Sequence, residues 1–223
     1  MSPKPIVAIT MGDPAGVGPE VILKALTHAG VKRACHPLIL GDWAVLQRTR
    51  GRRRGWPKLR CWEPRQPLLP LLRSQDAFVV CPLSSLRPTE SEPGVPTKAG
   101  GEAAYRYINV AAKLALSRVA DAIATAPISK SLLKRAGHHY PGHTELLAEL
   151  SGTAECRMML IGMKLRVVLV TGHIGFTRIG RKLSRDGIRV TLELTDRALR
   201  DSFGIRRPRI AVAALNPHGG EEG

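Results

Sequence analysis

The chain has 223 residues, 43% of them hydrophobic, enough for one large core or two modest ones and too apolar for a disordered segment. No apolar run reaches the roughly 20 residues needed to cross a bilayer, and the start lacks the charged and apolar regions of a secretory signal. No membrane partner is therefore expected, and the cytoplasm is the expected compartment. The net charge of +16 invites a nucleic-acid partner, a reading weighed below once the elements are placed.

In chain order, residues 5–10 read as a short strand, followed by the glycine-rich turn MGDPAGVGPE at 11–20. Residues 19–29 read as a helix with Val21, Ile22, Ala25 and Leu26 at helical spacing. A strand at 37–40 ends in Gly41-Asp42, a helix spans 43–50, and strands follow around 59–62 and 78–81. Residues 82–99 are rich in Pro, Ser and Thr, which marks an exposed connection and a candidate boundary between an N-terminal α/β region (1–100) and a central α/β region (101–223). A long helix at 101–119 carries the stripe Ala104, Ile108, Ala111, Ala112 and Leu116. Strands are expected at 122–125, 165–171 and 209–215, with helices at 130–136, 144–151 and 187–203 between them. Strands alternating with helices predict an α/β fold built on a mostly parallel sheet covered on both faces.

The basic excess centres on Arg48-Thr49-Arg50-Gly51-Arg52-Arg53-Arg54, and aromatic residues make up 4% of the chain. Few rings are free to stack on bases and no nucleic-acid motif accompanies the run, so a solvated basic face is the better reading and no nucleic-acid partner is expected. The four cysteines are widely spaced with no CxxC pair, which argues against a disulfide framework or a zinc ribbon.

Five expected strands end in turns with unusual polar groups: Met11-Gly12-Asp13, Gly41-Asp42, Ala126-Pro127-Ile128-Ser129-Lys130, Gly172-His173 and Asn216-Pro217-His218. In open α/β sheets ligands bind beyond the carboxyl ends of the strands, so these turns are expected to share one cleft. His173 alone reads as a satisfied structural histidine. Paired with His218, flanked by glycines and followed by Glu221 and Glu222, it suggests a metal site that needs a third donor from elsewhere. His143, in Tyr140-Pro141-Gly142-His143-Thr144, stands where Thr144 could cap a helix whose positive end favours an anion. Local sequence leaves His143 open between that role and an exposed turn histidine, the reading given to His138 and His139. Lys130 is equally open between an anion ligand and a solvated lysine. No Gly-x-Ser-x-Gly elbow or phosphate-binding P-loop is present, against a serine hydrolase or P-loop kinase.

Five motifs in order, MGDPAGVGPE, ATAPISK, YPGHTELLAEL, VTGHIGF and LNPHGGEEG, resemble the 4-hydroxythreonine-4-phosphate dehydrogenase family of vitamin B6 synthesis. Related members oxidise threonate or erythronate 4-phosphate. The resemblance implies NAD- or NADP-dependent oxidation of a phosphorylated four-carbon hydroxy acid, assisted by a divalent metal (zinc, magnesium or cobalt) and followed by decarboxylation. It also implies a two-domain fold like the isocitrate and isopropylmalate dehydrogenases and a homodimer with shared active sites. His173 and His218 would be metal ligands, and His143 and Thr144 would bind substrate. Asp13 and Gly16, at the mouth of the cleft, would touch the nucleotide. Family members are about half as long again, so the C-terminal third, with a third histidine ligand and most of the cofactor pocket, is expected to be missing. A truncated copy, a degraded gene product and a domain working with a separate partner all fit that shortfall.

Overall fold

The computed structural model describes residues 4–74, 76–172, 174–216 and 218, and the chain divides into two compact units, Met1–Gly152 and Thr153–Gly223.

The first unit begins with β1 (Ile6–Thr10), α1 (Gly18–Ala25), α2 (Ala29–Ala34), β2 (His36–Asp42) and α3 (Trp43–Arg50). It continues with β3 (Leu59–Cys61), α4 (Leu68–Arg73), β4 (Phe78–Ser84) and α5 (Lys98–Leu116), and closes with β5 (Ala122–Thr125), α6 (Lys130–Arg135) and α7 (His143–Leu150). Its five strands pair in the order β3-β4-β2-β1-β5, all parallel. The sequence HPLILGD explains why β2 is central: Leu38, Ile39 and Leu40 are almost wholly buried, which an alternating half-exposed strand would not permit. Burying those three side chains stabilises the unit by about 5–9 kcal/mol.

α5 lies against this sheet through Ala103, Tyr107 and Ala111. It also comes so close to α6 that a Cβ on Gly101 would stand 2.5 Å from the Leu132 carbonyl oxygen. Only a glycine permits that approach. Residue 100 lies inside α5, because the helix starts at Lys98 with Thr97 as its cap, and the chain's two compact units meet in sequence after Gly152. Tyr107, rather than Leu116, completes the buried stripe; Leu116 is exposed at the helix end. The helix expected over 19–29 is two, broken at Thr27, whose Oγ1 donates to the Lys24 carbonyl.

The second unit contains β6 (Met159–Ile161), β7 (Arg166–Val168), α8 (Ile179–Lys182) and α9 (Arg185–Asp201). β6 and β7 form an antiparallel pair, so the expected parallel strand at 165–171 is a hairpin arm. The run 209–215 forms no strand; Val212 and Leu215 are exposed. An apolar run becomes a strand only where a neighbour supplies ladder partners. α9 is capped by Ser184, whose Oγ accepts from Gly187 N at 3.0 Å. Its buried Thr191 also accepts from Arg157 Nε at 2.9 Å. Among the described residues no helix is long and apolar enough to cross a membrane.

Candidate active site

Three of the five polar turns, those after β1, β2 and β5, lie at one edge of the parallel sheet. The turns after 165–171 and 209–215 belong to the other unit. The first unit thus carries three of the five expected turns on one sheet edge.

The β1 turn is stitched to its neighbours by the backbone. Met11 N donates to the Leu40 carbonyl at 2.9 Å, Ala126 N to the Thr10 carbonyl at 3.0 Å, and Asp13 N to the Pro127 carbonyl at 3.0 Å. Gly12 sits at φ +71°, and a Cβ there would fall on the Pro127 carbonyl oxygen. Both conformation and space demand glycine. The Asp13 carboxylate turns back into its own loop, accepting from Ala15 N at 3.0 Å, while Gly16 and Val17 are exposed where α1 begins without a side-chain cap.

Asp42, expected in the ligand cleft, is fully buried and fully occupied. Its Oδ1 accepts from Val45 N at 3.0 Å, capping α3, and its Oδ2 accepts from Ser84 Oγ at 2.9 Å and Leu86 N at 2.8 Å. Ser84 also meets the Tyr107 hydroxyl at 2.5 Å, and burial pushes the Tyr107 phenol well above its ordinary range. This group clips β2, β4 and α5 together, as buried polar groups must be paired. The arginine run is a largely exposed face, with Arg52, Arg53 and Arg54 open to solvent; Arg50 Nε donates to the Pro57 carbonyl at 2.8 Å, and Arg53 lies over Trp56 at 4.7 Å.

After β5, Ser129 caps α6 through a bond from Leu132 N at 3.4 Å, and exposed Lys130 follows. Its Cε would lie 3.7 Å from a Cβ placed on Gly142, so the lysine stem runs beside the start of α7. Unlike α3, α5 and α6, α7 begins with no side-chain cap. The helix starts at His143 with Gly142 as N-cap, so Thr144 stands one residue inside and is not the cap expected from sequence. No side-chain cap occupies this first turn, the arrangement that favours an anion, and the Glu145 carboxylate of the same turn lies beside it, its Oε2 3.5 Å from a Cβ placed on Gly142. His143 and Thr144 are half-buried. His143 Nε2 is buried with no hydrogen-bond partner, and burial moves its pKa below the ordinary histidine value. A neutral ring can donate or accept a hydrogen bond, while Lys130 and the helix end carry the positive field.

His138 is not the exposed turn histidine expected. Its ring stacks on Tyr105 with centroids 3.5 Å apart, and its Nε2 bonds Glu102 Oε2 at 2.8 Å. Glu102 and Tyr105 escaped the sequence reading; their spacing of three on α5, which places both on one helix face, was the available signal. His173 lies outside the described residues. His218 is exposed in the second unit. Among the described residues no three His, Cys, Asp or Glu side chains are grouped to hold a metal ion.

The first unit is an α/β fold on an open parallel sheet, with a glycine turn after β1 and an exposed lysine after β5 at its carboxyl edge, the side on which ligands bind in such sheets. The family model "Pyridoxal phosphate biosynthetic protein PdxA" matches residues 33–223, and the chain belongs to that family. It is 45% identical to a 4-hydroxythreonine-4-phosphate dehydrogenase of Trichlorobacter lovleyi, over all of this chain and 66% of that protein. It is 42% identical to a D-threonate 4-phosphate dehydrogenase of Cupriavidus necator, over 98% of this chain and 64% of that one. Its structure matches a 4-hydroxythreonine-4-phosphate dehydrogenase from Burkholderia phymatum with a TM-score of 0.82 at 41% identity, covering 99% of this chain and 65% of that one. The chain thus spans about two thirds of the length of these relatives.

Proposed function

We propose that this chain supplies the substrate-anion site of a 4-hydroxythreonine-4-phosphate dehydrogenase, which oxidises the secondary alcohol of its substrate and releases carbon dioxide to leave 3-amino-2-oxopropyl phosphate. The observation that carries this reading is the uncapped start of α7 with the unpartnered, buried His143 Nε2 beside it. An anionic group of the substrate docks on the N–H groups of that first turn, with Lys130 adding charge and the Thr144 hydroxyl a hydrogen bond. His143, kept neutral by burial, holds a substrate hydroxyl or amine, a task for which a charged ring would waste its desolvation.

In this reading Asp13 shapes the glycine turn while exposed Gly16 and the uncapped start of α1 offer backbone to the phosphates of NAD or NADP. His173 and His218 would contribute to a divalent-metal site completed by a donor outside this chain. When bound, the dinucleotide accepts the hydride, and zinc, magnesium or cobalt draws electron density from the reacting oxygen. The complete fold is proposed to be a two-domain, isocitrate dehydrogenase-like homodimer working in the cytoplasm. Support for the dimer comes from the β6–β7 hairpin, where Leu160, Ile161 and Leu165 are more than half exposed and Met163 wholly so, an apolar patch that a second copy would cover.

A second reading, D-threonate or D-erythronate 4-phosphate oxidation, is favoured by the likeness to the Cupriavidus protein. A third, an inactive remnant that only binds anions, is favoured by the span of two thirds of the relatives. Following NADH absorbance with each substrate, NAD and a divalent metal separates them. Turnover of 4-hydroxythreonine 4-phosphate supports the first reading, turnover of threonate phosphate alone the second, and saturable binding without NADH the third.

A further inference from the structure

The loop that delivers His143 to the start of α7 is held by side chains that nothing above assigns to the substrate. Residues 136–142 join α6 to α7, with Gly137 near the start of the loop at φ +99°. His138 N donates to the Leu133 carbonyl at 2.8 Å, which starts the loop from a fixed point on α6. The His138 ring then lies flat on Tyr105, 3.5 Å between centroids and 8° from parallel. Its Nε2 meets the Glu102 carboxylate at 2.8 Å. Two residues later Tyr140 lies 6.5 Å from Tyr105 at 12°, and its hydroxyl donates to Glu149 Oε1, on α7, at 2.7 Å. That bond pushes the Tyr140 phenol up to about 12. Tyr105 itself receives a 3.4 Å bond from Asn109 Nδ2.

The consequence follows from loop entropy. A seven-residue connection containing two glycines has many conformations, and an anion site made of first-turn N–H groups works best when that turn is already in place. The three-ring stack fixes the loop at residues 138 and 140, just before the His143 turn, and ties one end to α5 and the other to α7. We infer that Glu102, Tyr105, His138 and Tyr140 form a clamp that positions His143 and Thr144 for substrate; these are positioning residues, acting through the turn and not by touching substrate. This inference rests on the reading that the α7 start is the substrate-anion site.

The test uses the whole chain, with inorganic phosphate and 4-hydroxythreonine 4-phosphate as probes and NMR signals of the His143 ring and the 143–145 amides as readout. Removing the stack with Tyr105→Ala, or the hydrogen-bond partner of His138 with Glu102→Ala, should weaken binding of both probes about three- to tenfold. The free-state His143 ring signal should move with them, while core methyl signals of Leu40 and Ile39 stay in place. Tyr105→Phe keeps the stack and should restore wild-type affinity, and Tyr140→Phe, which loses only a hydroxyl, should give a smaller loss in the same direction. Unchanged His143 signals and affinity in Tyr105→Ala and Tyr140→Phe would overturn the clamp. The underlying site reading fails separately, if neither probe shifts the 143–145 amides of the wild-type chain. Should Tyr105→Ala unfold, Tyr140→Phe and Glu102→Ala decide alone.

Discussion

Asp42→Asn separates a structural carboxylate from a ligand at the strand-end edge, because it changes one atom and leaves the shape unaltered. In the native chain Oδ1 accepts from Val45 N, and Oδ2 accepts from both Ser84 Oγ and Leu86 N, at 2.8 to 3.0 Å. Asparagine keeps the cap to Val45 through its carbonyl oxygen. Its amide nitrogen then faces the Leu86 N–H, donor against donor, while the Ser84 hydroxyl can rotate to accept. The charge-assisted bond from Leu86 N is lost and two donors, that N–H and one amide hydrogen, are left facing each other in a buried place, so the cost is about 2–4 kcal/mol. Asp42→Ala also loses the helix cap, about 1 kcal/mol more, for a total of about 3–5 kcal/mol. Urea unfolding followed by circular dichroism measures both. Phosphate affinity of the folded Asn variant should stay within about twofold, since no bond of Asp42 faces the α7 start. A stability loss below about 1 kcal/mol, or a loss of phosphate binding at unchanged stability, would refute this assignment.

Three further outcomes are expected. Gly12→Ala forces a Cβ into a left-handed conformation and onto the Pro127 carbonyl oxygen, so thermal unfolding should show a loss of about 2–4 kcal/mol, against under 1 kcal/mol for Ser129→Ala, whose cap bond is long. The lowered pKa of buried His143 means the unfolded chain binds more protons in the window between the folded and the ordinary histidine value. Stability is therefore full above the ordinary histidine range and falls as pH drops through it; His143→Gln should flatten that part of a pH series of melting temperatures. Leu165→Glu on the exposed hairpin should shift the species seen by sedimentation from dimer to monomer with little change in the first unit's melting, whereas an unchanged sedimentation coefficient would count against the proposed dimer face.

The parallel strands and the helices of the first unit were legible because their patterns are local: an apolar run such as HPLILGD reads as a buried strand, and α5 shows its stripe. What sequence missed depended on partners. Pro82 concealed the full length of β4, which extends to Ser84 after its pairing with β3 has ended at Cys61, where a missing N–H costs that ladder nothing. Residues 165–171 look like a buried strand, yet pair with Met159–Ile161 as a hairpin, since hydrophobicity does not encode direction of pairing. At the site, Lys130 drew notice by following a strand end and His143 by standing at a helix start. Asp42 was grouped with the cleft turns because a carboxylate that caps a helix and one that meets a substrate read alike until their donors are known. His138 was passed over because its partners, Glu102 and Tyr105, lie more than thirty residues away.

The central claim is that the α7 start, with His143 and Thr144, receives the anionic substrate. Isothermal titration of 4-hydroxythreonine 4-phosphate into the chain and into His143→Ala and Thr144→Ala tests it most directly. The account predicts saturable binding by the wild type and a weakening of about tenfold in each variant, the worth of one hydrogen bond to a charged or buried partner. Equal affinity in all three proteins would contradict it.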